Sequence, residues 1–110
     1  MPVSGSISVL RRAVFQSANG YRTEGAAQIT RSESGHRLEL QNDFRTSTSG
    51  ILEVRLCRET RCGAGDLNLG SIQAFTGPQA YTLPDDGGAF RYVVIWCRAV
   101  NLPFGFGDLR

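Results

Sequence analysis

A chain of 110 residues and 12.0 kDa has the size of one domain, so residues 1–110 read as a single domain. Twelve arginines, no lysine and ten acidic residues give a net charge of +2 scattered along the chain, which is no nucleic-acid footprint and excludes lysine-based Schiff-base or phosphate-loop chemistry. A single histidine, His36, and a methionine only at Met1 exclude a blue-copper centre, a facial-triad iron site and haem held by paired His or Met side chains.

Thirteen glycines and turn signals about every eight to twelve residues favour many short strands over helices. No apolar run approaches the roughly 18 residues that span a bilayer, and no secretion signal is visible at the start. The segment from Val3 to Arg12 is ambiguous. Ala27 and Ile29 then alternate with Ala26, Gln28 and Thr30, up to a hairpin turn at Ser32-Glu33-Ser34-Gly35. His36, Leu38 and Leu40 share one strand face, with Arg37, Glu39 and Gln41 on the other. In the next segment Leu52, Val54 and Leu56 oppose Glu53, Arg55 and Cys57, again a strand with one solvated face.

Leu67 with Leu69, and Tyr81 with Leu83, mark two further short strands; Asp85-Asp86-Gly87-Gly88 follows as a solvated turn. Tyr92 to Cys97 is apolar on both faces and rich in β-branched and aromatic residues, which predicts a central strand covered on each side. The return through Asn101-Leu102-Pro103 is short, so a final strand from Phe104 to Leu109 pairs with it, with Gly105 and Gly107 on one face. The expected architecture is an all-β, antiparallel, jelly-roll-like β-sandwich with minimal helix.

Three cysteines carry the candidate chemistry. Cys57 and Cys62 flank Arg58-Glu59-Thr60-Arg61; if that connection is a hairpin loop, they face each other across two strands, close enough for a disulfide. Closing so short a loop stabilises by about 2 kcal/mol on the chain-entropy model. A structural disulfide is the leading reading, a labile redox pair the second, and free thiols or metal ligands the remainder. Such a pair implies an oxidising compartment, periplasm or cell exterior, and leaves Cys97 unpaired. Cys97 lies on the face of Val93 and Ile95, while Trp96 and Arg98 point the other way. A buried free cysteine there is ordinarily an inert small hydrophobe, because reactivity needs a thiolate. Cys57, Cys62, Cys97 and His36 make up a Cys3His zinc inventory, but three strands separate them, so no metal site is assigned. No Ser-His-Asp or Cys-His-Asn order stands out, which makes a hydrolytic enzyme a distant reading.

Several segments occur in a familiar order: Gly25-Ala26-Ala27-Gln28-Ile29, Leu38-Glu39-Leu40-Gln41-Asn42-Asp43-Phe44, Leu67-Asn68-Leu69-Gly70-Ser71-Ile72 and Gln79-Ala80-Tyr81-Thr82-Leu83-Pro84. Tyr92-Val93-Val94-Ile95-Trp96-Cys97 and Phe104-Gly105-Phe106-Gly107-Asp108-Leu109 complete the set. From roughly Phe15 to Leu109 the chain resembles the DM-thirteen domain family, often labelled electron-transfer DM-thirteen. That family is found beside DOMON domains and b-type cytochrome membrane segments, and its cysteine, proposed to be redox active, corresponds to Cys97. Where the family usually has a small polar residue this chain has Cys57, so the resemblance says nothing of the Cys57 and Cys62 pair.

The resemblance implies an electron-transfer accessory domain of an exported protein, with Cys97 as redox residue and another protein or domain as redox partner. No cofactor is firmly implied. A haem or metal held through Cys97 is the form one would take, in a site of Cys97, Trp96, Gly105 and Gly107 where the glycines leave room. The alternative is a non-catalytic binding or adhesion module with a structural Cys57-Cys62 disulfide and an inert Cys97.

Overall fold

A computed structural model describes residues 6–48 and 50–110. The described residues form ten strands: β1 Ser8–Ser17, β2 Thr23–Glu24, β3 Ala26–Ser32, β4 Gly35–Leu40 and β5 Arg45–Thr46 lead, followed by β6 Leu52–Cys57, β7 Leu67–Ser71, β8 Gln79–Leu83, β9 Tyr92–Cys97 and β10 Leu102–Asp108. Eight belong to one antiparallel sheet in the order β7-β6-β9-β10-β1-β3-β4-β8, and β2 pairs with β5 in a separate ribbon.

The sheet curls until its two end strands, β7 and β8, approach each other. Side chains bridge the seam: the Tyr81 hydroxyl and the Gln79 Oε1 accept from the Gln73 amide N at 3.0 and 3.3 Å, and the Gln73 side-chain amide donates to the Ala80 carbonyl at 2.6 Å. The all-β antiparallel class is therefore as expected, while the two layers of a sandwich merge into one nearly closed barrel. The joining element is β1, whose Ser8–Val14 portion pairs with β3 and whose Phe15–Ser17 portion pairs with β10.

Alternation governs which side chains enter the barrel. Ala13, Phe15, Ile29, Leu38, Leu40, Leu52, Val54, Leu56, Val93 and Ile95 form its buried core with Phe44 and Phe104. Burying such side chains contributes about 1.5–3 kcal/mol each, which is what holds the curled sheet together. The β9 strand is central, between β6 and β10, with Trp96 opposite both Glu53 and Pro103. In β10 a register shift between Pro103 and Gly105 inserts one residue, so Phe104 turns inward and its ring stacks on Tyr21 at 3.7 Å. Beyond that bulge Gly105 and Gly107 do share a face, the inner one, opposite Ile95 and Val93.

The ambiguous N-terminal segment resolves into β1 from Ser8 onward, while Val3 to Gly5 lie outside the described residues. A bulge between Val9 and Arg11 breaks the two-residue period there, and Ile7, Val9, Leu10 and Val14 are exposed. The position that alternation would give to an apolar side chain holds Arg11, whose guanidinium donates to the Phe90 carbonyl at 2.7 Å and the Gly87 carbonyl at 2.5 Å. The 85–88 turn is tied by its own aspartates, with Asp85 Oδ1 accepting from Gly87 N and Asp86 Oδ1 from Gly88 N, each at 2.8 Å.

Candidate functional site

Cys97 ends β9 with its cross-strand neighbours Leu52 on β6 and Leu102 on β10. It is 1% exposed and belongs to the barrel core, on the face predicted from Val93 and Ile95. A glycine lies close against its sulfur: a Cβ added at Gly50 would stand 2.6 Å from the Cys97 Sγ. Gly50 has φ of +75°, a left-handed conformation that a side chain would strain, and is itself exposed. The thiol is therefore buried but close to an exposed backbone segment.

The other residues placed with Cys97 at the sequence level are not gathered round it. Trp96 is on the outer face. The space at Gly105 is taken by the Thr23 side chain, onto which any Cβ there would fall, and a Cβ at Gly107 would meet the Ala13 Cβ at 2.9 Å. These glycines admit the β2–β5 ribbon and β1 rather than leaving a void. Thr23 and Thr46 are buried inside the barrel with their hydroxyls 2.8 Å apart; Thr23 Oγ1 also donates to the Phe104 carbonyl at 3.1 Å and Thr46 Oγ1 to the Arg22 carbonyl at 3.2 Å. Among the described residues, no group of three or more metal-ligating side chains includes Cys97 or His36. His36 pairs with Leu83 on β8 and Arg31 on β3.

Cys57 and Cys62 are joined in a disulfide with Cα atoms 5.3 Å apart, and Cys97 is free. The bond does not bridge two strands as the hairpin premise expected. Cys57 closes β6, but Cys62 precedes β7 by several residues, so the bond closes the loop on itself. That loop folds over the outside of the sheet, where Cys57, Val94 and Trp96 form a second buried cluster flanked by Cys62, Tyr92 and Phe106. Beside it Asp66, its side chain only 8% exposed, accepts from Gly63 N at 2.9 Å, Arg58 N at 3.4 Å and the Arg58 guanidinium at 3.3 Å. The two sulfurs and an Asp66 carboxylate oxygen all lie within 4.8 Å of one another.

The same outer face holds a charge cluster that sequence reasoning did not single out. Arg55 lies 5.0 Å over the Trp96 ring and donates from Nε and Nη2 to Glu53 Oε1 at 3.1 and 2.6 Å, with Arg98 3.6 Å from the other oxygen. Burial pushes the Glu53 carboxyl up, but hydrogen bonds from Arg55 and Asn68 and the charges of Arg55 and Arg98 outweigh it and hold the pKa below its ordinary value of 4.5. The spacing of Glu53 and Arg55 on one strand face was the available signal. Asp66 offered none, because its link to the sulfurs depends on the path of the loop.

A family model described as Electron transfer DM13 matches residues 14–109, nearly the whole chain, from the last residues of β1 through β10. The chain belongs to this electron-transfer DM13 family. Comparison with curated proteins and with solved structures returned no match. Among the described residues no helix is long and apolar enough to cross a membrane.

Proposed function

We propose that this chain is a redox accessory domain of an exported protein, passing electrons to or from a partner protein or domain, with Cys97 as the redox residue. Family membership supports the electron-transfer class, and the Cys57–Cys62 disulfide supports folding in an oxidising compartment, periplasm or cell exterior. The observation that carries the role of Cys97 is its closeness to an exposed segment: a Cβ at Gly50 would stand 2.6 Å from the sulfur, so displacement of that segment is the route by which the thiol would meet a partner.

A lone thiol exchanges one electron only as a radical or through a bound metal or haem, and two-electron chemistry requires a second thiol. Cys57 is on the opposite face of the sheet and five residues further along β6 from the Cys97 pairing position, roughly 16 Å away at 3.3 Å per residue. The second sulfur therefore comes from the partner. The Cys97 thiolate attacks a partner disulfide, a mixed disulfide forms, and the partner's other sulfur leaves as a thiolate.

Alkylation of the native protein with site mapping, alongside its visible spectrum, tests this. Modification of Cys97 at native conditions is expected. If Cys97 resists until unfolding, no chromophore is present and Cys97→Ala loses no partner binding, the domain is a binding module with an inert core cysteine. One observation favours that second reading: Thr23 and Ala13 fill the space at Gly105 and Gly107 that a cofactor would need.

A further inference from the structure

Cys97 does not exhaust the sulfur chemistry of the chain. We propose that the Cys57–Cys62 disulfide is a second, independent redox centre, a two-electron site reduced by the dithiol of a partner protein. The bond joins residues only five apart and closes a loop on the outer face, while every strand pairing except that of Cys57 with Tyr92, and the whole barrel core, lie outside it. Reduction therefore cuts no long-range link in the fold.

The two sulfurs are unequal. Cys57 is fully buried against Val94 and Trp96, whereas Cys62 lies partly exposed in the loop, so an incoming thiolate reaches the Cys62 sulfur. An open depression on this loop, lined by Arg58, Glu59, Arg61, Gly63, Ala64 and Asp66, gives approach from solvent to the segment that carries Cys62. Asp66 is the positioning residue. It binds the backbone N–H of Arg58 and of Gly63, the residues that immediately follow Cys57 and Cys62. That brace does not involve sulfur, so it keeps the two thiols side by side once the bond is cut.

The step balances. A partner thiolate attacks the Cys62 Sγ, the Cys57–Cys62 bond breaks, and Cys57 leaves and takes up the proton that the attacking thiol gave up. A second thiolate of the partner then displaces Cys62 from the mixed disulfide, and Cys62 takes up the other proton. The partner dithiol is oxidised to a disulfide, and two electrons and two protons reside on Cys57 and Cys62.

The test is equilibration of the native protein in graded reduced-to-oxidised glutathione buffers, an alkylation quench, and mass mapping of each cysteine with parallel far-UV circular dichroism. Wild type and Cys97→Ala are run together, so that behaviour of this pair is read apart from Cys97. Expected is joint alkylation of Cys57 and Cys62 in both proteins, with the strand signal retained. In Asp66→Asn the glutathione concentration at half-reduction should fall about tenfold, because losing a charge-assisted hydrogen bond leaves the dithiol less organised for closure. Reduction only after the strand signal is lost, or a pair that opens with a strong dithiol in denaturant but never with glutathione, overturns the proposal. An unchanged midpoint in a folded Asp66→Asn variant overturns the positioning role.

Discussion

The two sulfur sites occupy opposite sides of the same pair of strands, and the contrast between them is one of cover. At the β6/β9 end that holds Cys97, the thiol enters the barrel core and a glycine backbone lies over it. At the end that holds Cys57, the sulfur points outward and a loop stapled by its own disulfide lies over it. The inner site is built from long-range strand pairing, so disturbing it disturbs the fold. The cover of the outer site is a loop of ten consecutive residues, Cys57 to Asp66, resting on Val94 and Trp96, so disturbing that loop should remain local.

The largest expected effect is on the inner side. Gly105→Ala forces a Cβ onto Thr23 where β10 and β2 meet, and should cost about 3 kcal/mol in denaturant unfolding, the upper range for overpacking a core. Gly50→Ala should cost about 2 kcal/mol, since it combines a left-handed backbone with a Cβ 2.6 Å from Sγ. That prediction sharpens if Cys97→Ala is added. Removing the sulfur removes the clash but not the backbone strain, so the double variant should recover part of the loss. Strict additivity would show that Gly50 is not what covers the thiol.

On the outer side, replacing both Cys57 and Cys62 by Ser should cost about 2 kcal/mol, the loop-closure effect of a short ring. The far-UV signal should stay unchanged. Trp96 is the only tryptophan and lies 6% exposed beneath this loop, so its emission should shift to the red as the cover loosens. A cooperative loss of strand signal in the double variant would break the distinction between a local outer site and a global inner one.

The faces of β6 and β9 were legible because a two-residue period assigns every side chain once one buried residue is known. The same rule placed Cys97 inward and Trp96 outward correctly. It gave the all-β antiparallel class but not the closure of the sheet, for a physical reason. Tyr92 to Cys97 is apolar on both faces, which resembles a strand between two layers, yet the second cover is the Cys57–Cys62 loop with Phe106, not another sheet. The bulges at Val9/Arg11 and Pro103/Gly105 were invisible because each inserts a residue into an otherwise regular period. The Gly105 and Gly107 pattern announced a close approach but not its occupant, since Thr23 is more than eighty residues away in sequence. Asp66 joins the sulfurs only through the path of its loop.

The smallest effect concerns protons on the outer face. The Glu53 carboxyl sits beneath Arg55 and Arg98 with its pKa held below 4.5, so the folded state binds its proton more weakly than the unfolded chain does. Stability from this group is thus fully present above the unfolded value and is lost as pH falls through the folded one. Unfolding free energy measured between neutral and acidic pH should decline less steeply below that range in Glu53→Gln than in wild type, because the variant has no proton to take up at this site. Arg55 also stacks on Trp96, so protonating Glu53 should loosen the guanidinium and change Trp96 emission over the same pH interval. The alkylation rate of Cys97, on the other side of the sheet, should follow the same pH dependence in Glu53→Gln as in wild type. A difference between the two proteins at Cys97 would mean that the two faces communicate through β9, and the separation of inner and outer sites would fail.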